Sequence, residues 1–235
     1  MNILSVDTSS NNCSIALVND KAMLGEISIN YNLQHSVLLM PLIEELLAKL
    51  DMKAVDLDGL CISKGPGSFT GLRIGLSAIK GIALGLNLPV YATDGLRILA
   101  FGAFGFRGLI IPMVDALRSG YYCGMYTFEK DRLVTVMEPT ILTLEEMKEK
   151  LQNEEREILF LGDILDKKSK EELLFSEKVT LAHQNLNIPK ASSIPYLLMD
   201  EILSGQAENL HELVPLYMRK SQAENEYEKK KGMLK

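Results

Sequence analysis

The feature that most constrains the fold of this 235-residue chain is a glycine-rich segment between two apolar stretches. Residues 65–75 contain four glycines and one proline, directly after the apolar run 60–62, and a segment with helical apolar spacing follows up to residue 86. This order is typical of a strand, a tight loop and a helix, because glycine allows sharp turns and close backbone approach. Free N–H groups at the start of such a helix can bind an anion. The loop is therefore first interpreted as a candidate phosphate cradle.

The spacing within the loop departs from the common catalytic motifs. A Walker P-loop has Lys directly after its last glycine, whereas here Arg73 follows Leu72, and no Gly-x-Ser-x-Gly pattern surrounds Ser68. Ser68 or Thr70 is predicted to cap the following helix.

Composition narrows the functional classes. The chain has 25 Lys and Arg against 31 Asp and Glu, a net charge of −6, which disfavours nucleic-acid binding by a broad face and leaves open a local basic patch. Its three cysteines lie in apolar, strand-like runs and are predicted to be buried, reduced thiols. No secretory signal is apparent, and the most apolar window, residues 98–113, is too short and interrupted to span a bilayer. We predict a cytoplasmic protein that does not enter a membrane.

The first hundred residues predict a mixed sheet. Strands over 3–6, 14–18 and 23–29 are followed by a helix over 34–50, a strand over 59–63, a helix over 70–86 and a strand over 90–92. Pro41 predicts a kink in the first helix or a later start.

Residues 109–116 resemble residues 3–8, since both are apolar, strand-like runs that end in Asp followed by a small residue. The order of predicted elements in the first hundred residues thus begins again at residue 109. The predicted elements of this half are strands over 121–128, 132–137 and 158–161, and helices over 144–151, 168–175 and 193–203. We interpret the pattern as an internal duplication, with a single mixed α/β domain as the alternative. The charged tail 221–235 is interpreted as a solvated end, or as an interaction arm.

Asp7 and Asp115 occupy the ends of the two corresponding strands. In two-lobed kinases and actin-like ATPases, an Asp in this place holds the metal–phosphate group, and the next turn contains glycine so that its N–H groups reach phosphate. The turn after Asp7 has no glycine. Asp7 is therefore either a residual nucleotide-site carboxylate or a side chain that caps its own turn, and the same alternatives apply to Asp115.

The helix over 70–86 has small residues on one side. Gly71, Gly75, Ala78, Gly81 and Gly85 fall on one arc at 100° per residue. Because interior glycines weaken a helix, such an arc indicates close approach of another helix, either the helix over 34–50 or a helix of a partner.

Catalytic groups are sparse in the sequence. The three histidines, His35, His183 and His211, have no metal-ligand spacing, and no local context suggests a nucleophile–base pair. The sequence predicts no catalytic residue and no metal site in this chain.

The chain resembles the TsaB (YeaZ, glycoprotease-like) family of tRNA threonylcarbamoyladenosine biosynthesis proteins. The most specific match is the run Gly-Ser-Phe-Thr-Gly-Leu-Arg-Ile-Gly at 67–75. The other matching segments are 3–9, 13–17, 35–36, 39–43, 65–66, 80–81, 115–116, Tyr122, Tyr126 and 215–219. The family often has two arginines after Asp-Ala, whereas this chain has Leu117 and Arg118.

The resemblance implies an α/β protein with two RNase H-like lobes of the actin, sugar-kinase and Hsp70 type, each a mixed sheet flanked by helices. The first lobe is expected over residues 1–100, joined by the C-terminal segment 215–235, and a degenerate second lobe over 101–214.

The resemblance also implies a non-catalytic scaffold subunit in the formation of N6-threonylcarbamoyladenosine (t6A) in tRNAs that read codons beginning with A. The expected partners are a TsaD-type metalloenzyme, a TsaE-type ATPase and, through the complex, tRNA, with a homodimer when the chain is alone. TsaD-type enzymes have two metal-binding histidines after the strand that corresponds to 90–92, and residues 93–99 here contain none. No cofactor is expected on this chain alone, and Asp7 is a weak nucleotide-site candidate. ATP and metal are expected on partner subunits or in a shared cleft.

The partner or dimer interface is predicted on the helices over 34–50 and 70–86. Its candidate residues are His35, Leu38, Leu39, Leu42, Gly71, Arg73, Gly75 and Ala78. Two alternatives remain open: a self-sufficient nucleotide-binding ATPase or kinase of the same superfamily, and a peptidase as the older family name suggests.

Overall fold

A computed structural model describes residues 1–31, 34–116 and 120–219. It contains two five-stranded mixed sheets with the same strand arrangement. Leu117, Arg118 and the tail 221–235, on which predictions were made above, lie outside the described residues.

The first sheet is built from the first hundred residues. Its elements are β1 (Asn2–Asp7), β2 (Cys13–Asn19), β3 (Met23–Ile29), α1 (His35–Lys49), β4 (Gly59–Ser63), α2 (Phe69–Leu86) and β5 (Val90–Thr93). The strand order is β3-β2-β1-β4-β5, with an antiparallel meander of β1, β2 and β3 and parallel β4 and β5. The parallel pairings bring the carboxyl ends of β1, β4 and β5 to one edge.

The second sheet repeats this topology. The remaining elements are α3 (Gly95–Phe101), β6 (Leu109–Asp115), β7 (Tyr121–Glu129), β8 (Arg132–Leu142), α4 (Leu144–Lys150), β9 (Ile158–Leu161), α5 (Ile164–Lys167), α6 (Lys170–Leu173), β10 (Val179–Leu181), α7 (Ser193–Leu197) and α8 (Met199–Ser204). The order β8-β7-β6-β9-β10 matches that of the first sheet strand for strand. The predicted two-lobed α/β architecture is confirmed.

One face of the first sheet is covered by α1 and α2. The apolar stripe of α1, which includes Leu39 and Leu42, packs against Leu4 and Leu60 of the sheet. Ile79 of α2 belongs to the same cluster. This burial is the main reason that the two helices lie side by side. Among the described helices, α2 has the length and apolarity of a membrane span, with a mean hydropathy of 1.3 over 18 residues, one third of them buried. A helix that packs on a protein core meets the same criteria, so this is weak support for a membrane segment.

The opposite face of the first sheet is covered from further along the chain. Ile194, Leu198 and Ile202, in the region of α7 and α8, form one cluster with Ile3 of β1 and Cys61 of β4. The lobe bounds 1–100 and 101–214 stay a prediction, but α7, from the second range, packs against the first sheet, and Ile202 of α8 joins the same cluster.

Several element predictions are corrected. The helix over 193–203 is two helices, because Leu198 has φ −108° and ψ 17°, outside helical geometry. The helix predicted over 168–175 is the shorter α6, and the strand predicted over 132–137 continues to Leu142 as β8. Helix α3 and strand β10 were not predicted. Helix α1 begins at His35 and includes Pro41, so the later start is wrong.

Candidate functional site

Buried polar side chains gather where β1, β4 and β5 end. Asp7, Ser9, Ser63 and Thr93 are all buried at this edge. The carboxyl edge of a parallel sheet is where α/β proteins commonly bind ligands, so this cluster lies at the position of a candidate nucleotide site.

The carboxylate of Asp7 is bonded within its own turn. Its Oδ1 accepts the backbone N–H of Ser9 at 3.1 Å and the Ser9 hydroxyl at 2.9 Å. Burial raises the pKa of Asp7 above the ordinary 3.8, and the hydrogen bonds from Ser9 oppose this rise. This geometry matches the capping alternative for Asp7; its role as a nucleotide-site carboxylate stays a prediction.

The glycine-rich loop lies directly on the turn that follows β1. The backbone N–H of Ser68 donates to the carbonyl oxygen of Ser9 at 2.7 Å, and a Cβ atom at Gly67 would overlap that same carbonyl. Glycine is therefore required at 67 for contact within the chain. On the other side, Gly95 N–H donates to the Gly65 carbonyl at 2.8 Å. A phosphate group at this corner would have to displace Ser9.

Ser68 caps helix α2 as predicted. Its Oγ accepts the backbone N–H of Gly71 at 3.2 Å. The Ser68 hydroxyl thus accepts a hydrogen bond from one of the free N–H groups at the start of α2, which an anion would otherwise bind.

The corresponding edge of the second sheet holds a charged cluster. Asp163 accepts the backbone N–H of Asp115 at 2.8 Å, and Lys167 forms ion pairs with both carboxylates. Burial raises the pKa of Asp163, while its bond to Asp115 N–H and the charge of Lys167 oppose the rise. Asp115 is thus held by a cation of the same chain, and its predicted role at a nucleotide stays a prediction.

Four of the eight predicted interface residues pack inside the chain, and their assignment to a partner interface stays a prediction. Leu39 is 1% exposed and Leu42 is 7% exposed, because both lie in the core beneath α1. A Cβ at Gly71 would overlap the carbonyl oxygen of Thr8, and one at Gly75 would overlap the Thr8 hydroxyl. The small residues at the start of α2 therefore allow close packing on the β1 turn.

The other four predicted interface residues are at least partly accessible. His35 lies between core and surface, with Nε2 at 2.8 Å from the Ser10 carbonyl oxygen. Leu38 and Ala78 pack partly against the core, whereas Arg73 is exposed. Whether any of them contacts a partner stays a prediction.

Sequence reasoning missed the apolar side chains that α1 and α2 expose. Val37 and Leu84 are each 67% exposed, and Met40 is also exposed. A Cβ at Gly81 or Gly85 would have no neighbour within 4 Å. The missed signal was their position outside the buried stripe of each helix, where an apolar residue has no internal partner.

A stacked cluster of three side chains lies at the start of α2. The guanidinium carbon of Arg73 is 4.0 Å from the ring centroid of Phe69, and the Phe69 and Tyr217 rings stack with centroids 4.8 Å apart. The Nε of Arg73 donates to the Tyr217 hydroxyl at 2.9 Å. The C-terminal segment thus contributes directly to this surface.

Among the described residues, no group of three or more His, Cys, Asp or Glu side chains could hold a metal ion. Cys13, Cys61 and Cys123 are buried and unpaired, which confirms the prediction of buried thiols.

The two sheets of identical strand order define a two-lobed protein of the RNase H-like, actin-like fold class. The family model described as TsaD, tRNA N6-adenosine threonylcarbamoyltransferase, matches residues 24–227. The chain is 35% identical over 228 residues to the tRNA threonylcarbamoyladenosine biosynthesis protein TsaB of Bacillus subtilis, covering 95% of this chain and 96% of that one. It is 33% identical over 131 residues to TsaB of Escherichia coli, covering 54% and 55%.

The solved structure of YeaZ from Pseudomonas aeruginosa superimposes with a TM-score of 0.80 at 23% identity, covering 92% of this chain and 99% of that one. This likeness supports the fold. The chain belongs to the TsaB (YeaZ) family, within the wider group that the TsaD family model describes.

Proposed function

We propose that this chain is a non-catalytic subunit that binds and supports a TsaD-type enzyme in the formation of t6A in tRNA. The observation that carries the proposal is the likeness to TsaB of Bacillus subtilis along nearly the whole of both chains. The proposal places the protein in the cytoplasm, with a TsaE-type ATPase as a further partner and with tRNA bound through the complex. When alone, the chain is proposed to form a homodimer.

Two features of the first lobe favour a supporting role over catalysis. The Ser9 carbonyl occupies the space between the glycine-rich loop and the turn after β1, where a phosphate would bind. The N–H and hydroxyl of Ser9 also donate hydrogen bonds to the carboxylate of Asp7. The outer surface of α1 and α2, in contrast, exposes Val37, Met40 and Leu84. Exposed apolar side chains on two adjacent helices suit a partner that adds its own helices. We define Val37, Met40 and Leu84 as the docking face.

Reconstitution tests the proposed role. The chain is combined with the TsaD-type and TsaE-type proteins of the same organism, ATP, threonylcarbamoyl-adenylate and unmodified tRNA, and the modified nucleoside is measured by mass spectrometry. We expect t6A only when the chain is present. An equal yield from the TsaD-type enzyme without the chain would contradict the proposal.

A second experiment separates this role from a self-sufficient ATPase. Thr93 Oγ1 is buried without a hydrogen-bond partner among the described residues, and it lies at the same sheet edge as Asp7. An unsatisfied hydroxyl there is the observation that favours the ATPase alternative. Calorimetry of the isolated chain with ATP and magnesium should give no binding; micromolar affinity would favour the alternative.

A further inference from the structure

We propose that Arg73 is the electrostatic anchor of the docking face and binds one carboxylate of the partner protein, with Tyr217 holding the guanidinium in place. This inference rests on the proposed function, because it specifies the chemistry by which the same surface takes its partner. It depends on three observations about Arg73 and its neighbours.

The first observation is that the guanidinium is fixed but retains binding capacity. Its Nε is used by the Tyr217 hydroxyl, and its plane lies over Phe69. Among the residues that the structure describes, no carboxylate forms an ion pair with Arg73, and the side chain is exposed. The two terminal nitrogens therefore present a pair of parallel donors, the geometry that a carboxylate accepts in bidentate fashion.

The second observation is that the residues flanking Tyr217 form hydrogen bonds to segments just beyond strands of both sheets. The N–H of the preceding residue, Leu216, donates to the carbonyl oxygen of Lys64, just beyond β4, at 2.7 Å. Two residues after Tyr217, Arg219 Nη1 donates to the carbonyl oxygen of Ala116, just beyond β6, at 2.8 Å. A guanidinium that is ordered before binding loses less conformational entropy when the partner arrives.

The third observation concerns which anion suits the site. Tyr217, which contacts Arg73, is one of three exposed apolar side chains close together in sequence, with Val214 and Leu216. A protein surface with one acidic residue among apolar ones complements this mixture. An RNA backbone gains affinity by adding many phosphate contacts, which a chain with a net charge of −6 opposes. The cluster of Arg73, Phe69 and Tyr217 also contains the residue types, arginine and aromatic residues, that often dominate binding energy in protein interfaces.

The test measures binding of the full-length chain to the TsaD-type paralogue of the same organism by calorimetry at two salt concentrations. Arg73→Gln removes the charge, and Tyr217→Phe keeps the ring but removes the hydroxyl that holds Nε. Arg107→Gln is the matched control, because Arg107 is also exposed but precedes β6. Leu84→Glu tests the docking face independently of Arg73.

We expect Arg73→Gln to weaken binding about tenfold or more and to reduce its salt dependence. Tyr217→Phe should weaken binding less, and Arg107→Gln should leave it unchanged. Circular dichroism should show all variants folded, since the replaced groups are exposed.

Several results would overturn the inference. Unchanged affinity and salt dependence in Arg73→Gln, together with weakened binding in Leu84→Glu, would remove the anchor and leave the proposed function intact. Loss of tRNA affinity without loss of paralogue affinity in Arg73→Gln would assign the arginine to RNA instead. If the wild-type chain does not bind the paralogue, both the inference and the proposed function fail.

Discussion

At the scale of single residues, Asp7 combines complete burial with hydrogen bonds from its own turn. Burial raises its pKa in the folded chain above 3.8, so the folded chain binds this proton more tightly than the unfolded chain does. The contribution of Asp7 to stability is therefore greatest below about pH 4 and falls as the pH rises through the raised folded pKa.

This sign gives a prediction for Asp7→Asn, which carries no charge at any pH and can still accept the Ser9 N–H. Relative to wild type, the variant should gain stability as the pH rises from about 4 toward neutrality. Urea unfolding of both proteins across this range measures the difference. A difference that is the same at every pH would show that Asp7 does not titrate with a raised pKa.

A second residue-scale prediction concerns the thiols. Burial raises the pKa of Cys13 to about 11 and that of Cys123 to about 12, and it also raises the pKa of Cys61. Because the thiolate is the reactive form, native protein at pH 8 should resist iodoacetamide, whereas all three thiols should react in guanidinium chloride. Mass spectrometry counts the adducts. Rapid labelling of any of the three in native protein would contradict the burial described here.

At the scale of elements, the glycines of α2 have two different roles that the sequence pattern could not separate. The arc from Gly71 to Gly85 predicts close approach of another helix, whereas within the chain its first part packs on the turn after β1 and its last part has open space. Gly71 packs on the Thr8 carbonyl, whereas Gly81 has open space.

This contrast provides a matched pair of variants. Gly71→Ala should lower the free energy of unfolding by about 1–3 kcal/mol, because the new methyl group meets backbone that cannot move away. Gly81→Ala, at an exposed position in the same helix, should raise it by about 0.5–1 kcal/mol, because alanine is the better helix former. Chemical denaturation measures both. Equal effects of the two changes would mean that packing does not distinguish them.

Elements with strong periodicity were predictable, and those defined by tertiary contacts were not. The bounds of β3, β4 and β9 were predicted from apolar runs between turn residues. Helix α3 was missed because its seven residues are buried almost all round and show no polar face. Periodicity identifies the apolar stripe of α1 that contains Leu39 and Leu42, but it cannot say whether that stripe meets the same chain, as it does here, or another chain.

At the scale of the whole molecule, residues 213–217 return to the first sheet and its helices. Leu213 is 4% exposed and lies in the core beneath α1 and α2, although it is about 120 residues beyond β5 in sequence. The site shared by Arg73, Phe69 and Tyr217 has the same origin, and no local pattern could have predicted it. The family resemblance implies that the C-terminal segment joins the first lobe, and this assignment stays a prediction.

Leu213→Ala should therefore destabilise the protein by about 2–5 kcal/mol, the usual result of emptying a buried leucine site. Val214→Ala is the neighbouring control: Val214 is 61% exposed, and its loss should change stability by no more than about 0.5 kcal/mol. Thermal or urea unfolding of the two variants tests this. Similar stability of both would show that the end of the chain does not contribute to the core.

The position of α7 and α8 has a consequence for how the protein is made. Domains commonly fold from the N-terminus as the ribosome releases them. Here one face of the sheet that is translated first, with Ile3, Cys61 and Tyr91, meets Ile98 of α3 and is completed only by residues 194–202. We therefore expect part of this apolar face to stay accessible to chaperones until residues 194–202 have left the ribosome.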